Sequence, residues 1–330
     1  MDALSEVLGA VRLTGAVFLE MQMRAGWSIL TAPARKIADV LMPEADHVIP
    51  FHLVTQGGCY ARLVDDGPVE LSAGDLILFP AGDRHVLSAA SAAALSRKPV
   101  EVTGETLDQL LKRGEVAALK QGESGEATRI VCGYLACDKR LAEPILLGLP
   151  RLLKVSMRDR GTAAWVRSSI EFSVAESAAA RPGSAAVLAR LSEVLFAEAI
   201  RQYMDELPPD RAGWLAGLRD RHVGRALALL HEDPAHAWTV DELAKKVGLS
   251  RSALGERFAE LIGAPPMQYL TRWRTSLAAR QLKETQASIL RIAGDVGYES
   301  EAAFNRAFKR EFGLPPAAWR KRAKRPPARG

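Results

Sequence analysis

Asn305, Arg306 and Lys309 put an amide, a guanidinium and an ammonium on one short stretch of chain. On a helix they share an outward face with Glu301 and Ala302 once Phe304, Ala307, Phe308 and Phe312 turn inward. Such a face fits the major groove of duplex DNA, where Arg can bond guanine and Asn can bond adenine in two-pronged fashion. A related face lies 50 positions upstream, with Arg251, Ser252, Gly255 and Glu256. The carboxylate of Glu256 could accept from a cytosine amino group and would repel phosphate. Each residue taken singly suits a solvated helix face equally well. Recurrence of the pair favours DNA recognition.

A second set suits a small ligand. His52 and His85 are imidazoles that, when neutral, both donate and accept hydrogen bonds. In an apolar cavity they would bind an organic effector. Adding the thiol of Cys59 gives a set closer to a zinc site than to an oxygenase iron, and one lacking the usual carboxylate. The reading adopted is effector binding by His52 and His85, with no cofactor. A metal held by His52, Cys59 and His85 is the alternative. His47 stands an odd number of residues from His52 and would face away on a regular strand. No Ser-His-Asp order or phosphate loop is evident, so the chain is not expected to be an enzyme.

The elements that must carry the first set are visible as an internal repeat. Leu243-Ala244-x-x-Val247-Gly248-Leu249 matches Ile292-Ala293-x-x-Val296-Gly297-Tyr298 at an offset of 49. At an offset of 50, Ser250 matches Ser300, Phe258 matches Phe308, Gly263 matches Gly313 and Pro265-Pro266 matches Pro315-Pro316. Each copy reads as helix, tight turn, helix. Thr239 and Glu242 form a capping box, Gly248 and Gly297 make the turns, and Gly-x-Pro-Pro ends each second helix.

Charge follows the same division. Residues 218–330 hold 21 Lys and Arg against 12 Asp and Glu, a net of +9, whereas residues 1–217 carry a net of −4. A basic half beside a mildly acidic one points to a polyanion as the partner of the former. The run from Arg320 to Arg325 extends the basic character, although a solvated tail explains it as well. Three cysteines, Cys59, Cys132 and Cys137, form no disulfide framework. With no signal-like or spanning segment, the expectation is a cytoplasmic protein.

Residues 218–320 resemble the DNA-binding domain of the AraC/XylS family of transcription regulators. The match is closest from Ile292 through Phe304-x-Arg306-x-Phe308 to Pro316. The resemblance implies two helix-turn-helix units joined by a long helix, roughly Pro266–Lys283, with Leu270, Trp273 and Leu277 on one side. It departs at Glu256, where many members carry a basic residue. The resemblance implies promoter DNA, a small-molecule effector, RNA polymerase and a second copy of the chain as partners. Arg272, Arg274 and Arg280 on the linking helix are candidates for phosphate contacts.

Residues 48–90 show short β-prone runs, Phe51–Val54, Tyr60–Val64, Leu76–Phe79 and His85–Leu87, separated by turn signals. Within them, Gly74-x5-Pro80-x-Gly82-x2-His85 resembles the second motif of the cupin superfamily, which implies a jelly-roll barrel with an interior cavity. Residues 91–127 read as a surface insertion with a short helix near Thr106–Lys112, and the sheet resumes at Ile130–Ala136. Cys132 and Cys137, five apart, should face opposite sides of that strand. Small buried hydrophobes are the default reading for both, with redox sensing the minority one. Two helices follow at about 162–179 and 184–206. Val187, Leu188, Leu191, Leu195, Phe196 and Ala199 make a broad stripe on the second, which would pack on the barrel or form a dimer seam.

The expected fold class is therefore α+β: a cupin-like barrel over 1–160, connecting helices over 161–207, a linker at 208–217 and an all-α domain with two helix-turn-helix units over 218–330. The function expected is a sequence-specific, DNA-binding transcription regulator controlled by an effector. The alternative is a metal-dependent cupin enzyme, or a metal or redox sensor, fused to a DNA-binding domain.

Overall fold

A computed structural model of the chain describes residues 3–11, 15–24, 26–43, 45–112, 127–157, scattered positions within 165–179, and residues 181–208 and 211–323. The expected helix at 162–179 falls largely outside these residues, as do most of the 91–127 insertion beyond Lys112 and the final Lys324 and Arg325. Contacts divide the chain into two compact units. One holds residues 12–139 and 149–206; the other holds residues 1–11, 140–148 and 207–330.

The first unit is built on two five-stranded sheets. One has the order β1 (Gly15–Met23), β9 (Thr128–Cys137), β3 (His47–Gln56), β6 (Asp75–Leu78), β10 (Leu153–Ser156). The other runs β5 (Val69–Ser72), β4 (Gly58–Leu63), β7 (His85–Ala89), β2 (Ser28–Thr31), β8 (Val100–Val102). Among the described residues all pairings are antiparallel except β2 with β8, a parallel edge pair. Alternating side chains from both sheets fill the interior. Val48, Val54, Ile77, Ile130 and Tyr134 come from the first sheet, and Ile29, Ala61, Leu63, Leu71 and Leu87 from the second. Three short helices, α2 (Ala34–Leu41), α3 (Ala92–Leu95) and α4 (Gly104–Lys112), lie along the chain between these strands.

The opposite residues of the first sheet, among them Ile49, Phe51, Leu53, Leu135 and Val155, are buried as well, outside that interior cluster. Helix α6 (Ser184–Glu206) packs on β1 and β10. Its Leu195, Phe196, Ala199 and Ile200 are buried, and Gln202 Nε2 donates to Met157 Sδ at 3.3 Å. The C-terminal part of the stripe thus covers the sheet. Val187 and Val194 remain 40% and 44% exposed, and Leu191 between them is half-buried.

The second unit is helical. It contains α1 (Ala3–Val11), α5 (Lys139–Gly148, of which residues 140–148 belong here), α7 (Trp214–Arg219) and α8 (Arg221–Glu232). Then come α9 (Val240–Val247), α10 (Arg251–Ile262), α11 (Pro266–Glu284), α12 (Ile289–Asp295), α13 (Glu301–Phe312) and α14 (Pro316–Ala323). The expected cupin-like span of 1–160 includes residues 1–11 and 140–148, whose contacts lie with the helical unit. Here α1 packs on α8, Arg140 lies over the Phe312 ring at 4.6 Å, and Gly148 abuts Leu215. Their apolar faces are satisfied by helices far away in sequence, which no local pattern encodes.

The repeat survives at the level of caps. Ser250 and Ser300 each accept from the amide three residues on, Ala253 N and Ala303 N. Both second helices have twelve residues and stop at a left-handed glycine, Gly263 at φ 75° and Gly313 at φ 72°. A Cβ is strained at such a φ, which is why glycine recurs there. Leu254 and Phe258 in one copy, and Phe304 and Phe308 in the other, are fully buried.

Candidate functional site

Burial of those aromatic stripes leaves a polar face on α10 and α13. On α10, Arg251, Ser252 and Glu256 are exposed. On α13, Glu301, Ala302, Arg306 and Lys309 are exposed and Asn305 is half-buried. The two helices present comparable surfaces, differing in that α13 ends on cations where α10 carries Glu256. Arg251 Nη1 donates to Asp241 Oδ2 at 3.0 Å across the turn of the first helix-turn-helix unit. Both groups are well exposed, so the pair holds the guanidinium loosely in place. Arg257 is committed elsewhere. Its Nε and Nη2 donate to Asp220 Oδ2 at 2.8 and 2.5 Å, and Asp220 in turn caps α8 through the amides of His222 and Val223. That pairing raises the arginine pKa and lowers that of the carboxylate, against the cost of partly burying it.

The three linking-helix arginines differ. Arg272 is exposed, with Glu311 Oε2 3.9 Å away. Arg280 is half-buried. Arg274 turns inward: it donates to the carbonyls of Pro234, His236 and Gly297. A phosphate contact by Arg274 would break those bonds, so it leaves the set of backbone-contact candidates. Arg320 likewise donates to Ala287 O at 2.6 Å rather than extending as part of a solvated tail.

A buried network braces the first helix-turn-helix unit. Tyr269 OH accepts from Trp214 Nε1 at 2.7 Å and meets His231 Nε2 at 2.7 Å. Burial pushes the His231 pKa down to about 3, so the imidazole is neutral and its ring lies against Trp273 at 4.4 Å. Tyr269 stands 50 positions before Trp319, at the offset of the repeat. Trp214, from the stretch read as linker, is its partner and carried no periodic signal.

Within the barrel, His52 projects from β3 and His85 from β7, so the two sheets deliver one imidazole each to the interior. Their Nε2 atoms are 2.8 Å apart. Phe79 stacks on His85 at 3.7 Å between centroids, 10° from parallel. His85 Nδ1 lies 2.8 Å from the carbonyl of Asp83, and His52 Nδ1 lies 2.7 Å from Cys132 Sγ. These partners fix the tautomers. A carbonyl only accepts, so His85 Nδ1 carries the hydrogen and its Nε2 accepts from His52 Nε2–H. His52 Nδ1 is then an acceptor, filled by the Cys132 thiol. The result is one directed chain: Cys132 S–H to His52, His52 N–H to His85, His85 N–H to Asp83 O.

Every member is neutral in that chain. Burial holds His52 well below the usual imidazole range, helped by the neighbouring His85, and lowers His85 to about 4. Burial also raises the Cys132 thiol well above its ordinary range. Cys59, the third ligand of the alternative metal reading, lies in the same interior cluster, and among the described residues its thiol makes no hydrogen bond to either histidine. Burial raises its thiol to about 12. The residue that meets His52 is Cys132, paired with it across β3 and β9 and 80 positions away in sequence. Cys137 falls outside the interior cluster, as the five-residue spacing predicts, and all three cysteines are free thiols. Among the described residues no three His, Cys, Asp or Glu side chains are placed to hold a metal ion. His47 faces away, with Nε2 2.7 Å from Pro80 O.

Comparison with known proteins places both halves. A cupin family model matches residues 2–205, and a helix-turn-helix domain model matches residues 243–322. The chain is 32% identical to an AraC-like transcription regulator of Streptomyces antibioticus, over 97% of its own length and 99% of the relative's. It is 27% identical to the RCS-specific transcriptional activator RclR of Escherichia coli K12, over 98% and 99%. The DNA-binding domain of AdpA, solved with a target DNA, is 33% identical over 33% of this chain and 98% of that one, with a TM-score of 0.31. No helix among the described residues is long and apolar enough to cross a membrane. The chain belongs to the AraC-type family of DNA-binding transcription regulators, with a cupin domain ahead of its paired helix-turn-helix units.

Proposed function

We propose that the chain is an effector-controlled regulator that reads promoter DNA with α10 and α13 in successive major-groove segments. The observation that carries this is the repeated geometry: two twelve-residue helices with the same serine cap, the same glycine stop and a polar face outward. Arg251, Ser252 and Glu256 read one segment; Glu301, Ala302, Asn305, Arg306 and Lys309 read the other. Adjacent segments on one face of the duplex lie about 34 Å apart. Helix α11, with nineteen residues, spans about 28 Å and separates the units on that scale.

The effector is a small organic molecule that enters the apolar barrel interior and bonds to His52 and His85. Because every polar atom of the histidine chain is already matched, a ligand gains most by replacing the His52–His85 bond with one bond to each ring. The protein works in the cytoplasm as a homodimer, with Val187, Leu191 and Val194 on one face of α6 as the seam, and acts on RNA polymerase at the promoter. One observation favours a second reading: the 2.7 Å contact of Cys132 with His52 would let chemistry at the thiol disturb the same chain, making the barrel a redox sensor.

The test is a promoter reporter driven by the chain, challenged with a panel of small organic compounds. His52→Ala and His85→Ala should each abolish the response while leaving effector-free DNA affinity unchanged. A response that survives both variants overturns His52 and His85 as the effector site. Stoichiometric zinc or iron in untagged protein, lost in both variants, would replace the effector with a metal.

A further inference from the structure

The paired helix-turn-helix units are joined by more than α11. Arg274, at the middle of that helix, aims its guanidinium sideways. Nε donates to Pro234 O at 2.6 Å, Nη2 to His236 O at 2.7 Å and Nη1 to Gly297 O at 3.1 Å. The first two carbonyls belong to the segment between α8 and α9, which leads into the first unit. The third belongs to the turn between α12 and α13 in the second unit. One planar fork therefore grips both units. The ring of Tyr298 lies 5.7 Å from the guanidinium carbon, on the second-unit side.

The backbones on either side of this fork touch. Gly297 has φ +85°, and a Cβ built on it would fall 2.5 Å from Ala235 O and 2.7 Å from Ala235 Cα. No side chain fits there, so the second unit's turn lies directly on the first unit's entry segment. That segment is itself pinned: His236 N donates to Asp233 Oδ1 at 3.0 Å, and Trp238 Nε1 to Asp233 O at 2.9 Å. Partial burial lowers the Arg274 pKa, yet a guanidinium remains charged, so the fork persists at any physiological pH.

We infer that Arg274 is a positioning residue which, with the Gly297–Ala235 contact, sets the spacing and rotation of the two recognition helices and so dictates which separation of half-sites the chain accepts. A helix alone fixes distance but leaves each unit free to rock about its end. Three charged-donor bonds to carbonyls of both units remove that freedom. This rests on the reading that α10 and α13 engage DNA together.

The experiment uses the full chain and a duplex enriched from a random library by the wild-type protein. Variants of that duplex add or remove one base pair between the half-sites, rotating them by about 34°. A further duplex keeps only the half-site read by α13. Wild-type chain should bind the shifted duplexes at least about tenfold more weakly, since linked modules lose their avidity when the geometry forbids joint engagement. In Arg274→Ala that penalty should fall below about threefold, with half-site affinity within about twofold of wild type. Arg274→Lys, which keeps the charge but not the fork, should fall between, and carries the test if Arg274→Ala lacks a cooperative melting transition. A wild-type spacing penalty in the folded variants overturns the inference, as does equal loss on half-site and full-site duplexes. A wild-type chain that enriches no sequence at all would instead fail the DNA-reading proposal beneath it.

Discussion

Burial keeps the two histidines of the Cys132-to-Asp83 chain uncharged, and it outweighs the Asp83 carbonyl, which on its own favours a protonated His85. Each ring nitrogen has one partner, and a proton added to either ring would have to displace a donor already in place. The consequence for stability has a definite sign. His85 has a folded pKa of about 4 against 6.5 for the free side chain, so between those values the unfolded chain binds the extra proton. Stability is full above pH 6.5 and is lost as pH falls toward 4, and His52, also depressed, acts in the same direction. At pH 5 the loss from His85 is about 2 kcal/mol. Urea unfolding at neutral pH and at pH 5 should show it, and His85→Gln should flatten the difference; parallel losses in both proteins would contradict it. Cys132→Ala, which strips His52 Nδ1 of its donor, should destabilise by about 1–3 kcal/mol at neutral pH. Cys132→Ser, which restores a donor, should recover part of that in the same titration. The inward placement of His52 was legible from strand alternation, because Val54 shares its face. Cys132 as its partner was not, since strand register across 80 residues leaves no local trace.

Among the elements, α6 shows how a stripe read from periodicity can serve two surfaces. Leu195 and Phe196 pack on the sheet, whereas Val187 and Val194 face outward. A charge at Leu195 would enter the core, so Leu195→Glu should abolish the cooperative unfolding transition rather than yield a folded monomer. Val187→Glu with Val194→Glu is the informative pair. It should retain the wild-type melting temperature within a few degrees and shift sedimentation from dimer to monomer; a wild type already monomeric at micromolar concentration contradicts the seam. The paired units were the most legible part of the fold, because Ser250, Gly263, Ser300 and Gly313 are local signals with local causes. Strands β1, β2, β5, β8 and β10 were missed. Leu153–Ser156 and Ser28–Thr31 are only four residues each, and Gly15–Met23 carries no flanking turn signal beyond a single glycine. Such strands form because a neighbour supplies their hydrogen bonds.

For the whole molecule, the units are not contiguous in sequence. Helix α1 and residues 140–148 pack with the helices of 207–330, so a fragment starting at residue 208 would leave the α1-facing side of α8 and the Leu215 surface bare. Experiments on DNA binding therefore belong with the full chain. Charge asymmetry and the repeat made the DNA-binding half legible; the return of these N-terminal and mid-chain helices to it was not, because their partners lie more than 60 residues away. The claim on which the rest stands is that α10 and α13 read bases in tandem. Selection of duplexes from a random library, followed by affinity measurement with wild type and Arg306→Ala, tests it most directly. Two preferred segments about one helical turn apart should emerge, and Arg306→Ala should lose about 1–3 kcal/mol of discrimination at one or two base pairs of one segment only. Sequence-independent binding that weakens steeply with salt, unchanged in pattern by Arg306→Ala, would contradict the account.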